Sequence, residues 1–97
     1  AGSGRTSNAI HPGVIRTNLA RHVQDAESMF ASIQKRVSLK STAQGAATQC
    51  FVATHPSLQG VGGKYFMDCA ITKPASVATD DKLAEDLWNI TEKLLQP

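Results

Sequence analysis

The sequence predicts an α/β fold: a strand, a long helical crossover, a second strand parallel to the first, and a closing helix. Three observations carry this. A short apolar-leaning run over residues 6–11 is stopped by Pro12-Gly13, where proline removes a ladder donor and fixes φ. Ser41-Thr42-Ala43-Gln44 has capping-box spacing and opens a segment rich in small residues. Leu83, Leu87, Ile90 and Leu94 form one apolar stripe at helical spacing, widened by Trp88 and Leu95. Strand, insertion, helix, strand makes a βαβ unit with a right-handed crossover. Two parallel strands are not a stable sheet alone, so further strands are expected beside them.

The first strand runs into His11-Pro12-Gly13-Val14-Ile15-Arg16-Thr17. Gly13 can take a positive φ and admit a close neighbour, so Pro12-Gly13 either only turns the chain or holds a flat ligand. Thr17 follows four residues later and could reach back toward it. Residues 18–40 hold one amphipathic helix, about Asp25 to Val37, with Met29, Ile33 and Val37 four apart and Phe30 beside them. Asp25 and Glu27 suit its N-terminal end, Lys35 and Arg36 its C-terminal end. The stripe serves either as packing or as an apolar flap over a substrate.

The second helix spans residues 41–55 and stops at Pro56, with His55 pushed out of the helical region. Gly45 costs about 1 kcal/mol against alanine in a helix, so close packing is the expected reason for it. Residues 57–63 read as a glycine-rich loop and Lys64 to Asp68 as a strand covered on both faces near a sheet edge. Residues 70–79 read as a connector. The last helix covers residues 80–95, with Thr79 or Asp80 as N-cap and Asp80 and Asp81 at its positive end.

A chain of 97 residues is one domain at most. Residues 1–79 carry a net +5 and residues 80–97 a net −3. The basic side chains form no run and have no interleaved aromatics, which argues against nucleic acid. No apolar run approaches the ~20 residues of a bilayer span, and no signal-peptide pattern opens the sequence. Cys50 and Cys69 are expected as two reduced, buried thiols in a reducing compartment. No metal-ligand spacing involves them or His11, His22 and His55.

The ordered motifs resemble a known family. Asn8-Ala9-Ile10-His11-Pro12-Gly13-Val14-Ile15-Arg16-Thr17 resembles the N-x-x-x-P-G-x-x-x-T segment at the sixth strand of short-chain dehydrogenases/reductases. The Gln44-to-Ala47 helix ending in Thr54-His55-Pro56, the strand Gly60 to Cys69 and the closing helix follow in that family's order. The likeness is strongest to the C-terminal third of its retinol-dehydrogenase-like and plant chloroplast branch, over essentially all 97 residues.

The resemblance implies the C-terminal β-α-β plus terminal helix of a Rossmann-type doubly wound parallel sheet, incomplete in this chain. Residues 1–17 would be strand and cofactor loop, 18–40 a substrate lid, 41–69 helix and last strand, and 70–97 connector and helix. It implies an NAD or NADP cofactor, with Pro12, Gly13, Val14 and Thr17 at its nicotinamide end. Asn18 and Leu19 would begin the lid, and Leu19, Met29, Phe30 and Ile33 would meet an apolar alcohol or carbonyl substrate. The expected partners are that small molecule and the missing N-terminal half of the fold, with a homo-oligomer as a further option.

The family's catalytic residues are not found. Tyr65 is the sole tyrosine, and Cys69 stands where its Tyr-x-x-x-Lys lysine would be. Lys64 adjoins Tyr65 but should face the other way. Gly60-Val61-Gly62-Gly63 leads into a strand rather than a helix and so lacks phosphate-binding geometry. The chain alone is therefore expected to be inactive, with no catalytic residue of its own. A non-catalytic interaction module derived from the same family is the competing expectation.

Overall fold

The computed structural model describes residues 3–18 and 22–97. Elements follow in the order β1 (Ala9–His11), α1 (Ala26–Gln34), α2 (Thr42–Thr54), β2 (Tyr65–Met67), β3 (Ala70–Ile71) and α3 (Asp81–Leu95), with short 3-10 turns at Pro56–Leu58 and Ser76–Thr79. The sheet order is β1-β2-β3. β1 and β2 are parallel, Ala9 opposite Tyr65 and His11 opposite Met67. The βαβ unit is therefore present.

Ile10 pairs with Phe66, so both face one side of the sheet. Phe66 is buried and meets Phe51 of α2 edge-on, with ring centroids 6.4 Å apart. This contact seats α2 on the sheet. Asn8 fastens the entry to both strands: its side chain donates to the Val61 carbonyl at 2.9 Å and accepts from the Lys64 amide at 3.0 Å.

The capping box of α2 forms in both directions. The Ser41 hydroxyl accepts from the Gln44 amide, and the Gln44 side chain accepts from the Ser41 amide. Gly45 is buried, and a Cβ there would lie 2.2 Å from Ile15 Cδ1. Its close neighbour is thus the segment after Pro12-Gly13, not the sheet itself.

Several expectations need correction. Both strands are shorter than expected: ahead of them the Gly63 amide donates to the Ser7 carbonyl and the Lys64 amide turns to the Asn8 side chain, which breaks the regular ladder. β2 lies in the middle of the three strands, not at an edge, since residues 70–71 form the antiparallel strand β3 inside the expected connector. The turn between them is two residues, Asp68 (φ 51°) and Cys69 (φ 58°), both left-handed as a type I′ hairpin requires. Asp-Cys is a poor sequence signal for that turn, which hid the strand. The expected loop at 57–63 begins as a 3-10 turn nucleated by Pro56.

α1 ends at Gln34, short of Val37, and Asp25 caps it in a left-handed conformation without a side-chain bond. Cys50 is exposed and Cys69 half-buried, so neither thiol is the buried packing group expected. α3 matches its expectation, with the Asp80 carboxylate accepting from the Leu83 amide. Its stripe is uncovered, however: Leu87, Trp88 and Leu94 are 67, 68 and 79% exposed.

The exposed surface is 8129 Å², against about 5,400 Å² for a closed monomer of this mass. The radius of gyration is 17.3 Å, against about 13 Å for a compact domain of similar length. Only Phe66 and Thr48 are fully buried among large side chains of the described residues.

Candidate functional site

The Pro12-Gly13 segment leaves β1 as a loop and rejoins the fold through backbone contacts. The Lys40 amide donates to the Val14 carbonyl at 2.9 Å, and Ile15 and Lys40 form an isolated parallel bridge. Gly13 has φ +89°, a conformation that disfavours any side chain. Its own amide donates to His11 Nδ1 at 2.9 Å. That bond uses Nδ1 as an acceptor and puts the proton of the neutral ring on Nε2.

The close neighbour admitted by Gly13 is Lys40. A Cβ at Gly13 would lie 2.7 Å from Lys40 Cδ and 2.9 Å from Cε. The lysine stem passes over the glycine, and its ammonium pairs with the Asp68 carboxylate. Asp68 belongs to the β2–β3 turn, whose next residue is held from α2: the Cys69 amide donates to the buried Thr48 hydroxyl at 3.2 Å. Loop, α2 and hairpin turn thus meet at one place.

Of the residues expected at a cofactor, Pro12 and Gly13 are half-buried, while Val14 and Thr17 are exposed. The Val14 amide has no acceptor among the described residues. A backbone N–H without an acceptor among the described residues, beside a left-handed glycine, suits a flat amide-bearing group.

Of the expected lid residues, Phe30 is joined to this loop. The Arg16 guanidinium lies 5.9 Å from the Phe30 ring centroid and pairs with Glu27 of α1. Met29 is 39% exposed and Ile33 half-buried on the same helix. Leu19 lies outside the described residues. Arg16, Lys40 and Asp68 were not singled out by sequence. Lys40 sits one residue before a capping box, and nothing in its spacing announces a reach to residues 13 and 68.

No group of three or more His, Cys, Asp or Glu could hold a metal among the described residues. His55 is structural: Nδ1 contacts the Ser57 hydroxyl at 2.7 Å, and its ring stacks near Phe51. A separate open groove of about 910 Å³ lies between β1, β2 and the 72–79 segment, lined by Asn8, Ala9, Tyr65, Ile71, Pro74 and Ala78 among others. It contains none of the expected site residues. Lys64 and Tyr65 both contribute to its lining.

The chain is 46% identical over 93 residues to the "Short-chain dehydrogenase TIC 32 B, chloroplastic" of Brassica napus, covering 93% of this chain and 28% of that protein. It is 35% identical over 97 residues to "Retinol dehydrogenase 14" of Mus musculus, covering 97% of this chain and 29% of that protein. It is 38% identical over 94 residues to the "WW domain-containing oxidoreductase" of Homo sapiens, covering 96% of this chain and 22% of that protein. The chain therefore spans less than a third of the length of these relatives. No family model matches it, and no solved structure matches it.

Proposed function

With this chain homologous to the short-chain dehydrogenases and retinol dehydrogenases, we propose that it is the C-terminal part of an NAD(P)-dependent oxidoreductase acting on an alcohol or carbonyl. The observation that carries this is the Pro12-Gly13-Val14 loop: a left-handed glycine followed by an amide with no acceptor among the described residues, within a chain 46% identical to a named short-chain dehydrogenase. The cofactor, when bound, supplies or accepts the hydride. This chain's share is positional. Pro12, Gly13 and Val14 hold the nicotinamide end, Thr17 serves that same end, and the α1 side chains Met29, Phe30 and Ile33 meet an apolar substrate. Positioning of this kind lowers a barrier by several kcal/mol only when the reacting groups are also present.

No proton-transfer residue is assigned to this chain, so the 97-residue chain alone should be inactive. The assay is oxidation of NADPH or NADH by the full-length protein with retinal and other apolar aldehydes, followed by reduced-nicotinamide absorbance. Turnover by the full-length protein and none by the isolated chain is expected. Turnover by the isolated chain would overturn the assignment, as would a full-length protein that binds neither dinucleotide. We place the protein in a reducing compartment, cytoplasm or plastid, with the rest of its fold as the main partner.

A second reading, a non-catalytic interaction module, is favoured by the uncovered stripe of α3. Cooperative unfolding of the isolated chain as a monomer would support it; a molten or self-associating chain would support the enzyme part.

A further inference from the structure

We propose that Lys40 is a positioning residue that sets the shape of the Pro12-Gly13-Val14 loop, locked in place by Asp68. The inference deepens the reading above and rests on it only for the identity of the ligand.

Three independent contacts converge on Lys40. Its amide donates to the Val14 carbonyl at 2.9 Å, which fixes the loop's backbone on the far side of Gly13. Its aliphatic stem occupies the space a Gly13 side chain would need, with Cδ 2.7 Å and Cε 2.9 Å from that Cβ position. Its ammonium reaches Asp68. One residue thus holds the loop from backbone, stem and head group.

The anchor at the other end is tied to α2. Asp68 and Cys69 are both left-handed, and the buried Thr48 hydroxyl holds the Cys69 amide. That bond places the turn, and with it Asp68, beside α2. The Lys40 side chain is 25% exposed and that of Asp68 63% exposed. An ion pair this open is weak in itself. Its effect here is to choose one path for a long flexible stem, and that path shapes the loop. Gly13 is needed because any other residue would displace the stem and would be strained at φ +89°.

The test uses the full-length protein with Lys40→Met, Asp68→Asn and the double variant, and Lys82→Met of α3 as an unconnected control. Hydrogen exchange reports the loop amides, and titration of NADPH and NADH reports the ligand. Lys40→Met should speed exchange at Gly13 and at the residue-40 amide that bonds the Val14 carbonyl, and weaken dinucleotide binding by about fivefold, the scale of one exposed ion pair with its ordering. KM for the dinucleotide should rise more than kcat falls. Asp68→Asn should give a smaller change that disappears in the Lys40→Met background.

Loop exchange in Lys40→Met equal to the control, or a full Asp68→Asn effect persisting in the double variant, would overturn the clamp. If the unaltered protein binds neither dinucleotide while Lys40→Met still loosens the loop, the clamp stands and the cofactor reading falls.

Discussion

The Cys69 amide donates to the Thr48 hydroxyl at 3.2 Å, and Thr48 is 1% exposed. This bond joins the middle of α2 to the turn that carries Asp68, and it fixes the hairpin relative to the Pro-Gly loop. Thr48→Val keeps the volume and removes the acceptor, stranding a part-buried amide. The expected loss is about 1–3 kcal/mol of stability, with Thr48→Ser retaining most of it. Urea unfolding of both variants decides; equal stability of Thr48→Val and the unaltered protein would remove the tie.

The same turn carries conformational strain. Asp68 and Cys69 adopt φ 51° and 58°, where a non-glycine residue costs of order 1 kcal/mol. Cys69→Gly keeps the amide that Thr48 holds and relieves the strain, giving an Asp-Gly type I′ turn. A gain of about 0.5–1 kcal/mol is expected in thermal unfolding. Cys69→Val should lose more than that, because a β-branched residue is excluded from this region. Destabilisation by Cys69→Gly would show that the half-buried Cys69 side chain contributes more than its backbone costs.

The βαβ unit and the helices were legible in the sequence because their signals are local. Ser41 and Gln44 are three residues apart, and Leu83 to Leu94 repeat at helical spacing. β3 was not legible, because Asp-Cys does not resemble the Asn-Gly or Asp-Gly that marks a two-residue hairpin. Gly13 and Val14 drew notice through the Pro-Gly dipeptide and the family resemblance. Lys40 could not: its partners lie 27 and 28 positions away in sequence at Gly13 and Asp68, and no periodicity encodes such a contact. The exposure of Cys50 was missed because the rule that free cysteines are buried is statistical, and α2 buries only Gly45 and Thr48.

Gly45 tests how the loop after Gly13 meets α2. In an open helix, Gly45→Ala would gain about 1 kcal/mol. Here the added Cβ would lie 2.2 Å from Ile15 Cδ1 and 2.6 Å from Cγ1, so overpacking of about 1–3 kcal/mol should win and the variant should be less stable. Ile15→Ala removes both atoms and leaves Ile15 Cβ at 3.6 Å, an ordinary contact. Gly45→Ala should then turn neutral or stabilising in the Ile15→Ala background. The double-mutant cycle measures this coupling directly; additive effects would mean that Ile15 does not pack on Gly45.

Trp88 is the sole tryptophan and reports the stripe of α3 directly. It is 68% exposed, beside Leu87 at 67%. α3 is 15 residues long, a length at which a helix without tertiary cover is marginal in water. A docked helix should instead bury its apolar face. In the isolated chain, iodide should therefore quench Trp88 nearly as well as in the urea-unfolded chain, with emission typical of a wet indole. In the full-length protein, the emission should shift to the blue and quenching should fall, because the rest of the fold covers the stripe. Protection that grows with concentration of the isolated chain would instead mean that a second copy covers it. Full protection in the isolated chain at every concentration would contradict the exposed placement of α3.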